Sequence, residues 1–263
     1  MKSKIAIHWF RQDLRLADNP ALSHAVNYPN VLPIYILDDE NAREHAMGSA
    51  SRWWLHHSLH ALNTALVSKL SVYSGNPAVI LADLITRFEV EAVCWNRCYE
   101  PWQIERDKGI EHYLKQNGVN VHTYNGSLLW EPNEIYKEDG TPYQVFTPFF
   151  RKGCINAQKP RYPLSEIEIG NCVLDSHQIG IDKLPLLPEN LWYTKLQSYC
   201  KLEKLVRRSD LKTFLKRVLC LINMVGIYLQ NILFLVSLHT YILVRSHLIN
   251  CGMVFKIWGM IKI

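Results

Sequence analysis

Short apolar segments rich in β-branched and aromatic residues alternate with longer segments of helical periodicity through the first 130 residues. Two parallel strands need a long crossover between them, usually a helix, so this alternation favours βαβ units around a parallel sheet. The expected strands lie at 5–10, 31–37, 70–73, 92–95 and 119–124. We therefore predict an α/β fold, with a doubly wound, five-stranded parallel sheet of Rossmann-like architecture.

Four helices are expected between these strands. The first begins at Asn19, which can cap it, with Pro20 at the first helical position. The others cover about 50–68, 78–88 and 102–116, and Asn117-Gly118 ends the last of them. The second helix carries an apolar stripe that we assign to the core, formed by Trp54, Leu55, Leu59, Leu62 and Leu66.

In an open parallel sheet, ligands bind beyond the carboxyl ends of the strands. The loops that follow the first, second and fourth strands, at 11–18, 38–50 and 96–103, are therefore the places to look for chemistry. None of them is rich in glycine, and the chain has neither a Gly-x-Gly-x-x-Gly string nor a Walker sequence. Ordinary NAD or ATP phosphate binding is not expected.

Composition excludes several classes of protein. Hydrophobic residues make up 48% of the 263 residues and charged residues 20%, so the chain is neither disordered nor collagen-like. The net charge of +5 lies wholly in the tail, since residues 1–200 contain more acids than bases. Seven scattered cysteines include no Cys-x-x-Cys, so we expect neither a metal site nor a disulfide framework. The start of the chain does not read as a signal peptide, and a reduced, cytoplasmic protein is expected.

The loop after the first strand holds two arginines and two aspartates, Arg11, Asp13, Arg15 and Asp18. Such a cluster can grip an anionic ligand. It can equally tie the loop to its neighbours through ion pairs and helix caps. The residues alone leave both readings open.

Five strings in order along residues 5 to about 150 carry a resemblance to a known family. They are Trp9-Phe10-Arg11-x-Asp13-Leu14-Arg15 with Asp18-Asn19, Tyr35-Ile36-Leu37-Asp38, Gly48-x-Ala50-Ser51-Arg52-Trp53-Trp54-Leu55, Trp95-Asn96-x-x-x-Glu100-Pro101 with Arg106-Asp107, and Tyr143-x-Val145-Phe146-Thr147-Pro148-Phe149. With these motifs the chain resembles the photolyase/cryptochrome family, specifically the amino-terminal half of photolyases that repair cyclobutane pyrimidine dimers.

The resemblance implies an α/β domain that often holds a light-harvesting antenna pigment, followed by a linker and a large helical domain that binds FAD. It also implies a partner, damaged DNA, whose dimer receives an electron from excited, reduced FAD. On this basis we assign residues 1–130 to the antenna domain, 131–199 to the interdomain linker and 200–263 to a tail without an intact domain.

The antenna pigment is expected to be a deazaflavin or methenyltetrahydrofolate, and the resemblance leaves the choice open. Folate-binding members carry an Asn-Glu pair where this chain has Trp102-Gln103, while His45 falls where those members have a histidine. The Trp95-Asn96 and Glu100-Pro101 strings look more like members that use a deazaflavin. The candidate pigment residues are His45, Arg11, Asp13, Trp102 and Gln103. As alternatives, His45 is a solvated loop histidine and Trp102 a structural aromatic at a helix start.

The tail departs from the family. The Gly-Glu-x-x-Ala and Ser-Arg-Leu-Ser strings that should follow the linker are missing, and residues 211–263 contain no acid. Residues 201–207 and 232–249 nevertheless admit codons that, in a displaced frame, spell Val-Gly-Glu-Ala-Gly-Ala and a segment containing Ser-Arg-Leu-Ser. We therefore expect an out-of-frame tail that lacks the FAD site. The alternative is a membrane span at 218–244, a stretch without charged side chains, although its polar residues make a poor span.

Taken together, the sequence predicts a photolyase fragment that has no catalytic residues of its own and does not repair DNA alone. The alternative function is a non-catalytic antenna or interaction module that docks onto a separate flavin subunit. In either case we expect no strong DNA site in this chain.

Overall fold

The computed structural model describes residues 4–187 and 191–194. Its strands are β1 (Ile5–Phe10), β2 (Asn30–Leu37), β3 (Ser71–Ser74), β4 (Val90–Asn96) and β5 (Asn120–Tyr124). The helices are α1 (Pro20–Ala25), α2 (Asp39–Ala42), α3 (Ser49–Ala65), α4 (Pro77–Arg87), α5 (Pro101–Gln116) and α6 (Phe146–Pro148). Two 3₁₀ turns, Arg43–His45 and Ile181–Lys183, and a π-helical turn at Phe149–Cys154 complete the regular structure of the described residues.

The five strands form one parallel sheet in the order β3-β2-β1-β4-β5. The predicted fold class is therefore confirmed, and the predicted strand ends agree with the observed ones to within two residues. The first helix begins as expected, because the Asn19 side chain accepts a hydrogen bond from the Leu22 amide at 3.1 Å. Helix α5 ends at Asn117-Gly118, where Gly118 adopts a φ of 75° that suits glycine.

Alternate side chains of β1 enter two different cores. Ile7 and Trp9 point to the face covered by α4 and α5, where Leu84 and Ile110 are fully enclosed. Phe10 points to the opposite face, which α1 and α3 cover. A strand buried on both sides explains the nearly continuous apolar run that the sequence shows there.

Helix α3 contacts the core through Leu55, Leu59 and Leu62, as its periodicity predicts. The assignment of Trp54 to the core is wrong, because its neighbour Trp53 is the buried tryptophan and Trp54 remains half-buried. The Trp53 ring lies 6.4 Å from that of Tyr193, a residue that is distant in sequence.

The described residues 161–187 and 191–194, which we call the returning segment, pack back on the α/β domain after β5. The Asp18 carboxylate accepts hydrogen bonds from Arg161 at 2.5 Å and from the Leu164 amide at 3.0 Å. Further along, Ile181 and Leu184 insert into the core beside α3. The described part of the predicted linker thus packs on the domain that precedes it.

Asp175 is the most enclosed of these attachments. Its carboxylate receives two hydrogen bonds from Arg87 on α4, both at 2.8 Å, and one from the Tyr73 hydroxyl at 2.6 Å. Its own amide donates to the Ser71 hydroxyl at 3.0 Å. One buried carboxylate therefore fixes the returning chain to both β3 and α4.

Within the residues that the structure describes, no helix has the length and apolar character needed to cross a bilayer. The predicted tail at 200–263, with the stretch at 218–244, lies outside the described residues, as does part of the predicted linker.

We expect Asp175→Asn to lower the free energy of unfolding by about 2–3 kcal/mol, because Arg87 loses its buried charged acceptor. Asp83→Asn is the matched control, since Asp83 also pairs with Arg87 but its side chain is 58% exposed. The control should cost less than about 1 kcal/mol. Urea unfolding of the full chain measures both values, and equal losses would contradict the attachment.

The same carboxylate predicts a pH dependence. Burial opposes ionisation of Asp175, but hydrogen bonds from Arg87 and Tyr73 outweigh it and lower the pKa to about 2 from an ordinary 3.8. The stability that Asp175 provides should be fully present above about pH 5 and decline as the pH falls towards 2. The difference in unfolding free energy between wild type and Asp175→Asn, followed from pH 6 downwards, tests this; a constant difference would contradict it.

Candidate functional site

The strand order reverses between β1 and β4, so the chain leaves these neighbouring strands in opposite directions. Such a reversal opens a crevice at the carboxyl ends of the strands, where ligands bind in sheets of this kind. The loop after β1, at 11–19, and the loop after β4, at 97–100, flank this position. The crevice is the natural candidate for a functional site.

Arg11 occupies the crevice. One guanidinium nitrogen donates to Asp107 at 2.5 Å and another donates to the carbonyl oxygen of Asn96 at 2.5 Å. Its guanidinium carbon also lies 5.0 Å from the centre of the Trp9 ring, a cation–π distance. The side chain is only 5% exposed. Arg11 therefore joins β1, β4 and α5 from inside the domain.

Arg106 extends the same set of contacts to β2. It donates to Asp38 at 2.8 Å, directly after β2, and to Asp107 at 2.8 Å. Its guanidinium lies 5.1 Å from the ring centres of both Trp9 and Trp102. Two arginines and two aspartates thus alternate across the carboxyl edge of the sheet, each charge beside an opposite one.

Asp13 lies on the other side of Arg11 and is almost fully buried. It accepts hydrogen bonds from the Arg11 amide at 2.9 Å, from the Asn96 amide group at 2.5 Å and from the Asn19 amide group at 3.2 Å. Asn96 also donates to Asn19 at 2.7 Å and accepts from the Ala21 amide at 3.2 Å. The negative charge of Asp13 is met by hydrogen-bond donors and orders the start of α1.

The loop after β5 closes over Asn96 at Gly126. A Cβ atom at position 126 would lie 2.5 Å from the Asn96 side chain, so only glycine allows this approach. The Gly126 carbonyl in turn accepts a hydrogen bond from Arg15. We name the whole set the crevice network; its members are Arg11, Asp13, Asn19, Asp38, Asn96, Arg106 and Asp107.

Two titratable groups beside the crevice network are held neutral. Burial lowers the pKa of His8 to about 4, only partly offset by the charge of Asp13. Burial raises the pKa of the Cys98 thiol to about 11, although Arg11 opposes the shift. Neither group offers a charged nucleophile at neutral pH.

The five predicted pigment residues lie in two environments. Arg11 and Asp13 belong to the crevice network, and Gln103 is buried at the start of α5. Trp102 is half-buried next to Arg106, whereas His45 ends a 3₁₀ turn after β2 with 59% of its side chain exposed. The observed contacts show that the loop after β1 is held to its neighbours by ion pairs and hydrogen bonds, one of the two roles predicted for it. Contact of these residues with a pigment stays a prediction.

Asn96, Arg106 and Asp107 belong to the site but were not among the predicted site residues, although all three lie in the motifs. Their spacing in sequence gave no sign that they meet Arg11, because that contact depends on the β1–β4 pairing. His56 and His60, which are four residues apart on α3, were not among the predicted site residues either. An i,i+4 pair lies on one helix face, so this signal was available.

A family model for DNA photolyase matches residues 6–166, more than half of the chain. The chain belongs to the DNA photolyase family. The crevice network falls entirely within this matched region.

Relatives in the photolyase/cryptochrome family include both repair enzymes and cryptochromes. The chain is 41% identical to the deoxyribodipyrimidine photo-lyase of Agrobacterium fabrum over 155 residues, which cover 57% of this chain and 32% of that protein. It is 38% identical to cryptochrome-2 of Arabidopsis thaliana over 153 residues, which cover 57% of this chain and 25% of that protein. The chain thus spans about a quarter to a third of these relatives.

A solved photolyase has the same fold. The crystal structure of a bacterial class III photolyase from Agrobacterium tumefaciens matches 74% of this chain and 41% of its own, with a TM-score of 0.65 and 34% identity. The α/β fold of the present chain is therefore that of a photolyase-family protein.

We expect Asp107→Asn to lower the free energy of unfolding by about 3 kcal/mol, because Arg11 and Arg106 both lose a buried counter-charge. Glu111→Gln, one turn later on α5, is the matched control; Glu111 forms an exposed ion pair with Lys115. The control should cost less than about 0.5 kcal/mol. Urea unfolding compares the two variants, and a loss below 1 kcal/mol in Asp107→Asn would show that the crevice network is dispensable.

Proposed function

We propose that this chain supplies the antenna-bearing α/β part of a photolyase-type protein that repairs cyclobutane pyrimidine dimers with light and FAD. We further propose that the 263-residue chain does not repair DNA by itself. The observation that carries the proposal is the family match over residues 6–166, joined to a fold that covers 41% of a solved photolyase. The photolyase relative is also more similar to this chain than the cryptochrome relative, at 41% against 38% identity.

The described residues do not fit FAD. A flavin dinucleotide needs backbone amides and space for its pyrophosphate, usually at a glycine-rich turn. Here the crevice holds the side chains of Arg11 and Asp107, which satisfy each other. In the described part of the chain the first βα turn contains no glycine. We therefore expect no FAD to bind in this region.

We also propose that the chain divides into an antenna domain at 1–130, an interdomain linker at 131–199 and a tail at 200–263 that is translated out of frame. The missing Ser-Arg-Leu-Ser string and the lack of acids after Asp210 support this proposal. Nucleotide sequencing around codon 200 tests it. A displaced frame that restores Ser-Arg-Leu-Ser is expected; a gene in which no frame restores it would contradict the frameshift.

For the antenna pigment we propose a site at the carboxyl edge of the sheet, next to the crevice network. Trp102 offers part of a ring face there and His45 an exposed imidazole. Arg11, Asp13 and Gln103 would act beneath them as positioning residues, since they are buried. A bound pigment would supply light absorption, while the residues of this chain hold its ring system in a fixed orientation.

For DNA we propose no strong site in this part of the chain. Residues 1–200 contain 19 basic and 22 acidic residues, so the long-range field does not attract a polyanion. Several arginines at the candidate site are moreover paired with carboxylates, as Arg11 is with Asp107. Damaged DNA would be a partner of the whole photolyase-type protein.

A light-dependent repair assay tests the proposed division of roles. The purified full chain, supplied with FAD and dimer-containing DNA under blue light, should leave the dimers intact. Reversal of the dimers by this chain alone would refute the proposal. If the chain instead restores repair when mixed with a separate helical flavin subunit, it acts as an antenna or interaction module.

Pigment binding is tested with a folate and a deazaflavin in separate titrations. We expect Trp102→Ala to weaken binding of the true pigment about tenfold, the effect of losing one aromatic contact. Trp54→Ala is the matched control, because Trp54 is also half-buried but lies on α3. Equal affinity in the two variants, or no binding of either pigment, would contradict the proposed site.

A further inference from the structure

His56, His60 and Asp182 bring three metal-ligand atoms together away from the crevice network. The two histidines lie one turn apart on α3, and Asp182 comes from the 3₁₀ turn Ile181–Lys183 in the returning segment. One ligand atom from each residue lies within 4.8 Å of the other two. The Nε2 atom of His60 and the Oδ1 atom of Asp182 are 3.0 Å apart.

Helix geometry and the packing of neighbouring residues hold these three side chains close together. Residues i and i+4 of a helix share one face, which places His56 above His60. Ile181 is buried against α3 immediately before Asp182, and Leu184 is buried shortly after it. Asp182 is thus fixed between two anchors more than 120 positions along the chain from the histidines. This juxtaposition is not a local accident of a mobile loop.

The chemistry of the three ligands selects a class of metal. Two imidazole nitrogens and one carboxylate oxygen suit Zn²⁺ and related transition ions, whereas Mg²⁺ and Ca²⁺ prefer oxygen ligands alone. Ligands around a tetrahedral zinc lie about 3.4 Å from each other. The present separations, up to 4.8 Å, need only small side-chain rotations to reach that value.

The two histidine rings lie close together, with ring centres 4.5 Å apart. A metal binds the neutral imidazole, so Zn²⁺ would compete with protons for both rings.

We propose that His56, His60 and Asp182 form a zinc site that joins α3 to the returning segment. The fourth position would be taken by water, because the Asp182 side chain is 82% exposed and that of His60 is 43% exposed. Such a bond adds a cross-link where the chain returns to the domain. The proposal does not depend on the proposed function, since it uses neither the pigment nor the crevice.

Zinc titration of the full chain tests the site, with metal first removed by a chelator. We expect the wild-type chain to bind one Zn²⁺ more than the double variant His56→Gln/His60→Gln. Zinc bound by cysteines elsewhere is the same in both chains, so it does not affect this difference. His112→Gln is the matched control, because His112 is also an exposed helical histidine with a partner four residues away, Gln116. It should bind as much zinc as the wild type. Equal zinc binding by the wild type and the double variant would overturn the proposal.

Asp182→Asn separates a three-ligand site from a simple histidine pair. Its side chain is largely exposed, so the variant should fold normally, which circular dichroism in chelator can verify. We expect zinc affinity to fall about tenfold or more. Zinc should also raise the urea midpoint of the wild type more than that of Asp182→Asn, because the metal stabilises the state that binds it. Unchanged affinity in Asp182→Asn would overturn the role of the returning segment.

Discussion

The ion pair between Arg11 and Asp107 occupies the point at which the sheet changes winding direction, and the surrounding structure is arranged about it. A charge enclosed to this degree is tolerated only when opposite charges and hydrogen bonds surround it. The Arg11 guanidinium donates to Asp107 and to the Asn96 carbonyl oxygen. Arg106 pairs in turn with Asp38, so opposite charges alternate along the edge. Strands β1, β2 and β4 and helix α5 are therefore held in one geometry at the carboxyl edge of the sheet.

The network as a whole contributes little net stability, but it is sensitive to the loss of any one member. Desolvation of the paired groups offsets much of their attraction, yet removal of a single partner leaves a buried charge without compensation. An open α/β sheet usually leaves this crevice for a ligand. In this member of the DNA photolyase family, the paired side chains of Arg11 and Asp107 fill it.

The returning segment is the second organising feature. Asp18 holds it near α1, Asp175 holds it on β3 and α4, and Ile181 completes the core beside α3. Without these contacts, apolar side chains of α3 would face water. The proposed zinc site lies along the same path and would reinforce a junction that packing already forms. The α/β domain and the chain that follows it are thus energetically coupled among the described residues.

The sequence by itself determined the class of fold, the order of the elements and the family. Strands buried on two faces must be apolar along their length, and Asn19-Pro20 and Asn117-Gly118 favour a helix start and a helix end wherever they occur. These are local constraints, readable one segment at a time. The assignment of Trp54 to the core failed, since Trp53 is the buried tryptophan and its ring lies 6.4 Å from that of Tyr193, which is distant in sequence.

Only the tertiary structure decided what the motif residues do. In the sequence, Arg11 and Asp13 were suited either to an anionic ligand or to internal ion pairs and caps. The pairing of β1 with β4 decided between these roles, because it brings Asn96 and Asp107 to them. The same holds for Asp182 and His60, since 122 residues separate them. Contacts of this kind arise from the register of the sheet and the path of the returning chain, and no local pattern in the sequence encodes either.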